Sequence, residues 1–368
     1  MTENFQKKMV AQNLRDADEA LYSDIDRDRK FNRLQTTDPQ RLARRAKLKS
    51  FRAIDVSTAK GAAAKEYLEA ILDRMDSGIE GYCLVLHGRT GAGKTHIIER
   101  LVAHPDLRER ETEEGKYRPL LKIVAPAPCT LKTLGLRILH QLGYRPKKSL
   151  RENEVWDRVE ANLRAQGVGI LVIDEMHNVL AGRNSAERHK IAMTLKSLMV
   201  SDANPVQLIL AGLDSLKKFV TDYSELHRRT HFVELVALEA VKDSKKFMKF
   251  LKALEEKLGM ETCGFTENDM PHRFWFASRG LVGRMAYFAQ EAATIAVCLD
   301  DEVVREEHLA EAYRRPYGID DARNPFLVLN PRLLKMPKKE EDIRDDETFL
   351  RGTKKRRTED DEEELSEN

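Results

Sequence analysis

The residues best suited to chemistry begin with a glycine-rich stretch that fits a phosphate-binding loop. It matches the pattern G-x-x-x-x-G-K-[ST] and consists of Gly88, Arg89, Thr90, Gly91, Ala92, Gly93, Lys94 and Thr95, with His96 next. Backbone N–H groups of such a loop face the phosphates of a nucleotide, and the positive end of the following helix dipole assists them. We expect Lys94 to reach the β- and γ-phosphates and Thr95 to bind Mg²⁺.

Two adjacent carboxylates, Asp174 and Glu175, follow the apolar run at residues 170–173. At the end of a buried strand, Asp174 would join Thr95 in binding Mg²⁺, and Glu175 would orient and deprotonate an attacking water. An isolated Asp-Glu pair is often a solvated helix cap, but the phosphate loop upstream favours the catalytic interpretation. A further predicted strand between the two motifs along the chain, with no guanine-reading NKxD sequence downstream, favours ATP over GTP.

Arginines at two places in the sequence are candidates to complete a nucleotide-binding site. Arg228 and Arg229 stand just before a predicted strand, where a ring or filament can offer a guanidinium to a neighbour's γ-phosphate. Solvated cations at a helix end are the alternative. Further along, Arg284 begins an amphipathic stretch and could fold over the same nucleotide; the alternative is an ordinary surface arginine.

The elements that must position these residues follow the pattern of an α/β fold. Short apolar runs alternate with amphipathic helical stretches, which predicts a mostly parallel sheet. Five strands are predicted, at residues 82–87, 120–125, 169–173, 207–211 and 231–235. Beyond about residue 240, apolar spacings of three and four predict helices at 242–258, 281–299 and 303–313. We therefore expect a P-loop ATPase with a five-stranded parallel sheet, followed by a small α-helical lid domain.

Composition limits the kinds of partner. The 368 residues carry 63 Lys and Arg against 61 Asp and Glu, a formal charge of +2, which excludes polyanion binding by bulk charge. Four widely spaced cysteines without a CxxC pair suggest neither a zinc site nor a disulfide framework. The absence of a long apolar run or secretory signal predicts a soluble, intracellular protein without a membrane partner.

The charge is segregated along the chain, and this suggests four regions. Residues 1–52 hold 13 basic and 8 acidic side chains, whereas residues 331–368 hold 10 and 13. We expect a charged N-terminal appendage at 1–50, an α/β ATPase domain at 51–240, a helical lid domain at 241–326 and a disordered charged tail at 327–368. Solvated disorder is the simplest interpretation of the tail; docking of a partner that orders it is the alternative.

Four stretches in order carry a resemblance to a known family. They are the phosphate loop, Lys122-Ile-Val-Ala-Pro-Ala-Pro128 with the helix and Gly143 after it, Ile173-Asp-Glu-Met-His-Asn-Val-Leu-Ala-Gly182, and Gln207-Leu-Ile-Leu-Ala-Gly212. Together with residues 280–284 and 324–326, they make the chain similar to the AAA+ transposition regulators of the TniB/TnsC group, relatives of MuB. The string Asp-Glu-x-His-Asn-x-Leu-x-Gly is much narrower than a general acidic strand-end motif.

The resemblance implies an ATP-dependent homo-oligomer, a ring or helical filament, on duplex DNA in the bacterial cytoplasm. Such proteins recruit and stimulate a transposase and disassemble when ATP is hydrolysed, and a target-selector protein or RNA-guided complex directs some of them. Carried over by position, Arg229 rather than Arg228 matches the family's arginine finger, and Arg284 matches its sensor 2. The family's sensor strand usually ends Gly-Thr, whereas here Gly212 precedes Leu213, which leads us to expect slow or weakly coupled hydrolysis.

Any DNA contact must come from a local patch, because the middle of the chain is neutral. A filament repeats a small patch many times along the phosphates, so few cations per subunit suffice. The candidates follow the second predicted strand and are Lys132, Arg137, Lys147 and Lys148. Ordinary surface cations are the alternative, and binding through phosphates would be independent of sequence.

Two other functions fit the same motifs. An origin-recognition or clamp-loader type AAA+ protein usually carries a further folded domain after the helical lid, and little chain is left here for one. A signalling ATPase would use ATP as a conformational switch without binding DNA.

Overall fold

The computed structural model describes residues 38–76, 80–113, 115–145 and 150–334. These residues fall into two units that divide after Ala53. The described part of the first unit is essentially helix α1 (Pro39–Arg52), which carries the basic side chains of Arg41, Arg44, Arg45, Lys47, Lys49 and Arg52. Asp38 caps the helix by accepting a hydrogen bond from the backbone N–H of Gln40. Proline fits the first helical position because the N–H that it lacks would have no partner within the helix.

The second unit is built on a five-stranded sheet in which every pair is parallel. Its strands are β1 (Cys83–Gly88), β4 (Leu120–Val124), β5 (Ile170–Asp174), β6 (Gln207–Gly212) and β7 (Thr230–Leu235). Their order across the sheet is β4-β5-β6-β1-β7. All five predicted strands are therefore present, each within one residue of its predicted ends.

Helices cover both faces of the sheet, which explains why its central strands are continuous apolar runs. One face packs on α2 (Ala59–Asp76) and α3 (Lys94–Val102). The other packs on α4 (Leu131–Gln141), α5 (Glu152–Ala165), α7 (Ser185–Met199) and α8 (Asp214–Thr221). Side chains alternate between the faces, so that Leu84 and Leu86 belong to the first core and Val85 to the second.

Short elements complete this α/β part. A hairpin of β2 (Arg110–Thr112) and β3 (Gly115–Tyr117), which the sequence did not predict, precedes β4. Two one-turn helices, α6 (His177–Leu180) and α9 (Ser224–His227), follow β5 and precede β7. Each stands beside a residue predicted to act on nucleotide, so local geometry there bears directly on the site.

The chain after β7 is mostly helical, as predicted. It contains α10 (Ser244–Leu258), α11 (Met270–Ser278), α12 (Val282–Cys298) and α13 (Glu306–Tyr317). One expectation was wrong: Val303 and Val304, predicted as the start of a helix, form strand β9 (Val303–Val304), which pairs in parallel with β8 (Glu261–Thr262). Two adjacent valines fit an extended pair because branching at Cβ disfavours the helix.

Residues 324–326 pack against α11 and α13 at the end of this helical segment. Phe326 is fully buried and lies edge-on to Phe274 at 5.4 Å between ring centroids. The Asn324 side chain donates to the Ala310 carbonyl oxygen at 2.8 Å, and Arg273 donates to the Pro325 carbonyl oxygen at 2.7 Å. Among the described helices, none is both long and apolar enough to cross a membrane.

Candidate nucleotide-binding site

The phosphate loop lies where the sequence predicted it, between β1 and α3. Lys94 is buried, and its ammonium group donates to the carbonyl oxygens of Gly88 at 2.7 Å and Arg89 at 3.0 Å. Gly91 has φ +82°, a backbone conformation that residues with a Cβ atom rarely adopt. The loop therefore curls around its own lysine and leaves its N–H groups near the N-terminus of α3, where an anion is favoured.

Thr95 and Asp174 meet across the sheet at its carboxyl edge. The Thr95 hydroxyl donates to Asp174 Oδ2 at 3.0 Å, although 79 residues separate them in sequence. A hydroxyl and a buried carboxylate are hard oxygen donors of the kind that Mg²⁺ takes beside the phosphates of a nucleotide. The pair thus fits the metal role predicted for it, and Mg²⁺ held there would supply positive charge to offset that of the phosphates.

Glu175 follows with an unusual backbone. Its φ is +55°, and its N–H donates to Asp174 Oδ1 at 2.9 Å, so that both oxygens of Asp174 are engaged. The side chain of Glu175 is 38% exposed, and its Oε2 lies 3.3 Å from Nε2 of the buried His177. Asn178 donates to the Ala125 carbonyl oxygen at 3.0 Å, which ties the segment after β5 to the end of β4.

The helical segment closes against the phosphate loop at a contact between two glycines. A Cβ added to Gly283, at the start of α12, would lie 2.5 Å from the Gly91 carbonyl oxygen and 2.8 Å from the Gly93 nitrogen. The aliphatic part of Arg284 packs over Gly91, 2.7 Å from where a Cβ would be. The structure therefore brings Arg284 to the phosphate loop, and it adds Gly283, which sequence reasoning had noted only as part of a motif.

A charged cluster beside His96 was also missed. His96 Nε2 lies 2.8 Å from Asp55 Oδ1, and Arg100 lies 3.0 Å from the other oxygen of that carboxylate. Lys257, from α10, donates to the Asp55 backbone carbonyl oxygen. Asp55 thereby joins the phosphate-loop helix to the helical segment. No spacing in the sequence could reveal this, because Asp55 and Lys257 are 202 positions apart.

The strand before the loop contains a second buried imidazole. His87 is fully buried, and its Nδ1 lies 2.8 Å from Asp214 Oδ1, at the start of α8. Glu234 lies close enough to form a three-residue cluster with them. A histidine inside the apolar run before Gly88 was the available signal, since a buried polar side chain needs a partner.

The two predicted finger arginines differ in exposure. Arg229 is 8% exposed and donates to Glu80 Oε2, at 3.0 Å from Nε, and to the Glu225 carbonyl oxygen at 3.1 Å. Arg228 is 60% exposed at its side chain and pairs with Glu225 at 3.1 Å. Hydrogen bonding from Lys196 and the charge of Arg228 hold the pKa of Glu225 below its usual value. Both arginines precede β7 and therefore lie at the amino edge of the sheet, away from their own phosphate loop.

The proposed DNA patch is only partly described. Lys147 and Lys148 lie outside the described residues. Lys132 and Arg137 are both on α4, where a five-residue separation places them about 140° apart around the axis. Lys132 is half-buried and Arg137 is exposed, so these two cations do not share one face of the helix.

Together, the parallel sheet, the phosphate loop, the acidic strand end and the lid-like helices define a P-loop ATPase fold of the AAA+ class. The match to solved structures agrees. The ORC1 protein of Aeropyrum pernix, solved in complex with DNA, superimposes with a TM-score of 0.50 at 20% identity, over 73% of this chain and 68% of that one.

More distant matches include ORC2 of the same organism, at TM-score 0.49 and 16% identity over 71% of each chain. ORC of Drosophila matches at TM-score 0.45 and 14% identity over 78% of this chain and 68% of that one. No curated protein matches the sequence. The family is nevertheless defined: the model of the bacterial TniB protein matches residues 44–240, and the chain belongs to the TniB family.

Proposed function

We propose that this protein is an ATP-dependent regulator of DNA transposition. It would bind ATP with Mg²⁺, assemble as a ring or filament on duplex DNA, recruit and activate a transposase, and disassemble on ATP hydrolysis. The observation that carries the ATPase part is the convergence of Lys94, Thr95, Asp174 and Glu175 at one edge of the sheet. Membership of the TniB family supports the transposition part.

Each residue then has a role set by its position. Lys94 would exchange the loop carbonyl oxygens for phosphate oxygens, which carry more negative charge. Thr95 and Asp174 would hold Mg²⁺, and Glu175 would accept the proton of the attacking water. Arg284 lies over the loop from the lid side and would contact the phosphates once they are bound.

The neighbouring subunit would supply a guanidinium from the amino edge of its sheet. The family resemblance points to Arg229, which must first leave Glu80 and Glu225. Assembly-dependent hydrolysis would then be slow until that ion pair opens. The departure at Gly212 and Leu213 from the family's sensor strand supports the same expectation.

The nucleotide part is tested with two single variants. Lys94→Ala should lose ATP binding, measured by titration calorimetry, because it removes the ammonium group that the phosphate loop surrounds. Glu175→Gln should keep ATP binding, abolish hydrolysis and accumulate the ATP-bound assembly. As a control, Lys116→Ala alters an exposed lysine that pairs with Glu109, and it should change neither property. Normal hydrolysis by Glu175→Gln would contradict the proposed mechanism.

The DNA part is tested with random-sequence duplex, with and without a nonhydrolysable ATP analogue. Gel shifts and negative-stain microscopy should show analogue-dependent coats or rings. Charge reversal at Lys132, Lys147 and Lys148 should weaken binding, whereas Lys246→Glu, in the helical segment, should not. Monodisperse particles and no shift would favour an ATPase switch without a role on DNA.

The partner and location proposals rest on the family alone. A transposase should be retained on the ATP-bound assembly, and a target-selector protein or RNA-guided complex would place that assembly on DNA. Truncation after Asn330 tests whether the charged tail takes part, since residues 335–368 lie outside the described part of the chain. Unchanged transposase recruitment by the truncated protein would exclude the tail.

A further inference from the structure

We propose that His177 is a positioning residue for Glu175 and that it links this carboxylate to strand β6. The inference rests on the proposed ATPase function and deepens it. Three sets of contacts carry it: those that fix the backbone of Glu175, those that reach its carboxylate, and those that hold His177 itself.

The backbone of Glu175 is fixed, but its carboxylate needs a further contact. Asp174 accepts the Glu175 N–H, and φ +55° sets the direction in which the side chain leaves the chain. The side chain is 38% exposed, so free rotation about its staggered χ angles would spread the carboxylate over several positions. A general base must lie within hydrogen-bonding distance of the water it deprotonates, so that spread would lower the rate.

The imidazole of His177 contacts this carboxylate. Its Nε2 lies 3.3 Å from Glu175 Oε2, and its side chain is only 8% exposed. Nε2 is a ring nitrogen that can carry a proton, and the carboxylate oxygens that it faces are acceptors. A buried ring has little freedom, and it therefore restricts Glu175 more than a solvent-exposed partner would.

His177 is held in turn by the central strand β6. The N–H of Met176, the preceding residue, donates to the Ala211 carbonyl oxygen at 2.8 Å. A Cβ added to Gly212 would lie 3.3 Å from the His177 nitrogen, which shows how closely the two backbones pack. A displacement at the end of β6 is thereby passed to His177 and from there to Glu175.

The contact between β6 and His177 is important for hydrolysis because β6 ends without a polar side chain at residues 212 and 213. Leu213 is 4% exposed, and the next residue, Asp214, contacts His87. We infer that β6 acts on hydrolysis through the position of Glu175, by way of His177.

The test compares His177→Leu with His177→Gln in the full-length protein. Leucine removes the donor, whereas the glutamine amide places an N–H close to the position of Nε2. We expect His177→Leu to lower kcat about 10- to 100-fold, the usual cost of a misplaced catalytic group, with unchanged affinity for ATP. His177→Gln should recover most of that loss.

A double variant separates positioning from a general structural role. Because His177 acts through Glu175, adding His177→Leu to Glu175→Gln should cause no further loss of hydrolysis. An unchanged kcat in His177→Leu, an equal loss in the glutamine variant, or a loss of ATP affinity as large as the loss of kcat would overturn the inference. Failure of the proposed function is recognised separately, because Glu175→Gln alone would then hydrolyse ATP normally.

Discussion

Arg229 shows how a single buried side chain limits what an assembly can do. Its guanidinium has carboxylates on two sides, Glu80 and Glu225, and a backbone carbonyl oxygen as a third acceptor. These contacts hold the guanidinium of Arg229 within its own subunit. A role in a neighbour's site must compensate for the loss of these contacts.

This balance predicts that weakening the Glu80 contact should raise assembly-dependent ATPase activity. Glu80→Gln removes the charge but keeps the size of the side chain, so Arg229 leaves more easily. We expect an increase of about two- to fivefold, the effect of losing a partly exposed ion pair. Steady-state ATPase measured with duplex DNA checks this. Glu109→Gln, which alters an ion pair with Lys116 on the β-hairpin, is the matched control, and a decreased rate in Glu80→Gln would contradict Arg229 as the finger.

Among the elements, strand β1 carries a thiol that reports on the packing of the sheet. Burial raises the pKa of Cys83 to about 12, although a hydrogen bond with Thr230 opposes the shift. Because the pKa is raised, almost no thiolate is present at pH 8. Cys298, at the end of α12, is exposed.

We therefore predict that an aromatic disulfide reagent at pH 8 labels Cys298 quickly and Cys83 only after unfolding. Mass spectrometry of the labelled peptides identifies each site, and Cys298→Ser should remove the fast phase. Cys263, whose pKa burial raises to about 11, should react slowly between the two. Rapid labelling of Cys83 in the folded protein would mean that β1 opens locally.

The contact between α12 and the phosphate loop predicts the effect of one added methyl group. Gly283→Ala would place a Cβ 2.5 Å from the Gly91 carbonyl oxygen, so the loop or the helix must move. Overpacking of this kind typically costs about 1–3 kcal/mol of stability, and we expect a phosphate loop displaced by it to bind ATP more weakly, by up to roughly 150-fold if the whole strain falls on the nucleotide-bound form. Titration calorimetry measures it.

Gly135→Ala provides the comparison, because its Cβ would also be crowded, although by side-chain atoms, and its neighbours are not in the phosphate loop. Its Cβ would lie 2.7 Å from Val155 Cγ1, between α4 and α5. It should lower the thermal unfolding midpoint and leave ATP affinity unchanged. Equal effects of the two variants on affinity would show that the helical segment does not close on the loop in the way described.

The elements also show what the sequence can and cannot predict. Buried strands such as Ile170–Asp174 are apolar up to their last residue because both faces of the sheet are covered, so their ends can be predicted from the sequence. The pairing of Val303 with Glu261 cannot be predicted from the sequence, because a strand of two residues is too short to show a periodic pattern. Local motifs located Lys94 and Glu175. Contacts between distant segments, such as Asp55 with Lys257 or Gly283 with Gly91, depend on packing that no spacing encodes.

For the molecule as a whole, the net charge determines how the proposed DNA binding must work. The sequence is close to neutral, with a formal charge of +2, so a single subunit has little general attraction for a polyanion. Binding strength would come from repetition of a small patch along the duplex.

This predicts the salt dependence. Each phosphate contacted contributes about −0.9 to the slope of log K against log salt, so three cations per subunit, Lys132, Lys147 and Lys148, give a slope of roughly −2.7 per subunit. Binding isotherms with the nonhydrolysable analogue, at several salt concentrations, should be sigmoidal in protein and show this slope. Hyperbolic binding that does not need the analogue would contradict assembly as the source of affinity.

The order of the strands also sets the distance between the phosphate loop and the acidic pair. Strand β6 lies between β1, which leads into the phosphate loop, and β5, which ends in the acidic pair. Adjacent strands are about 4.8 Å apart, so the backbones of β1 and β5 are separated by about 10 Å. Across this spacing the hydroxyl of Thr95, just after the phosphate loop, donates to Asp174 Oδ2 at the end of β5. The hydrogen-bonded ladder of the sheet therefore fixes how far the phosphate loop and the acidic pair lie from each other, whatever rotamers their side chains adopt.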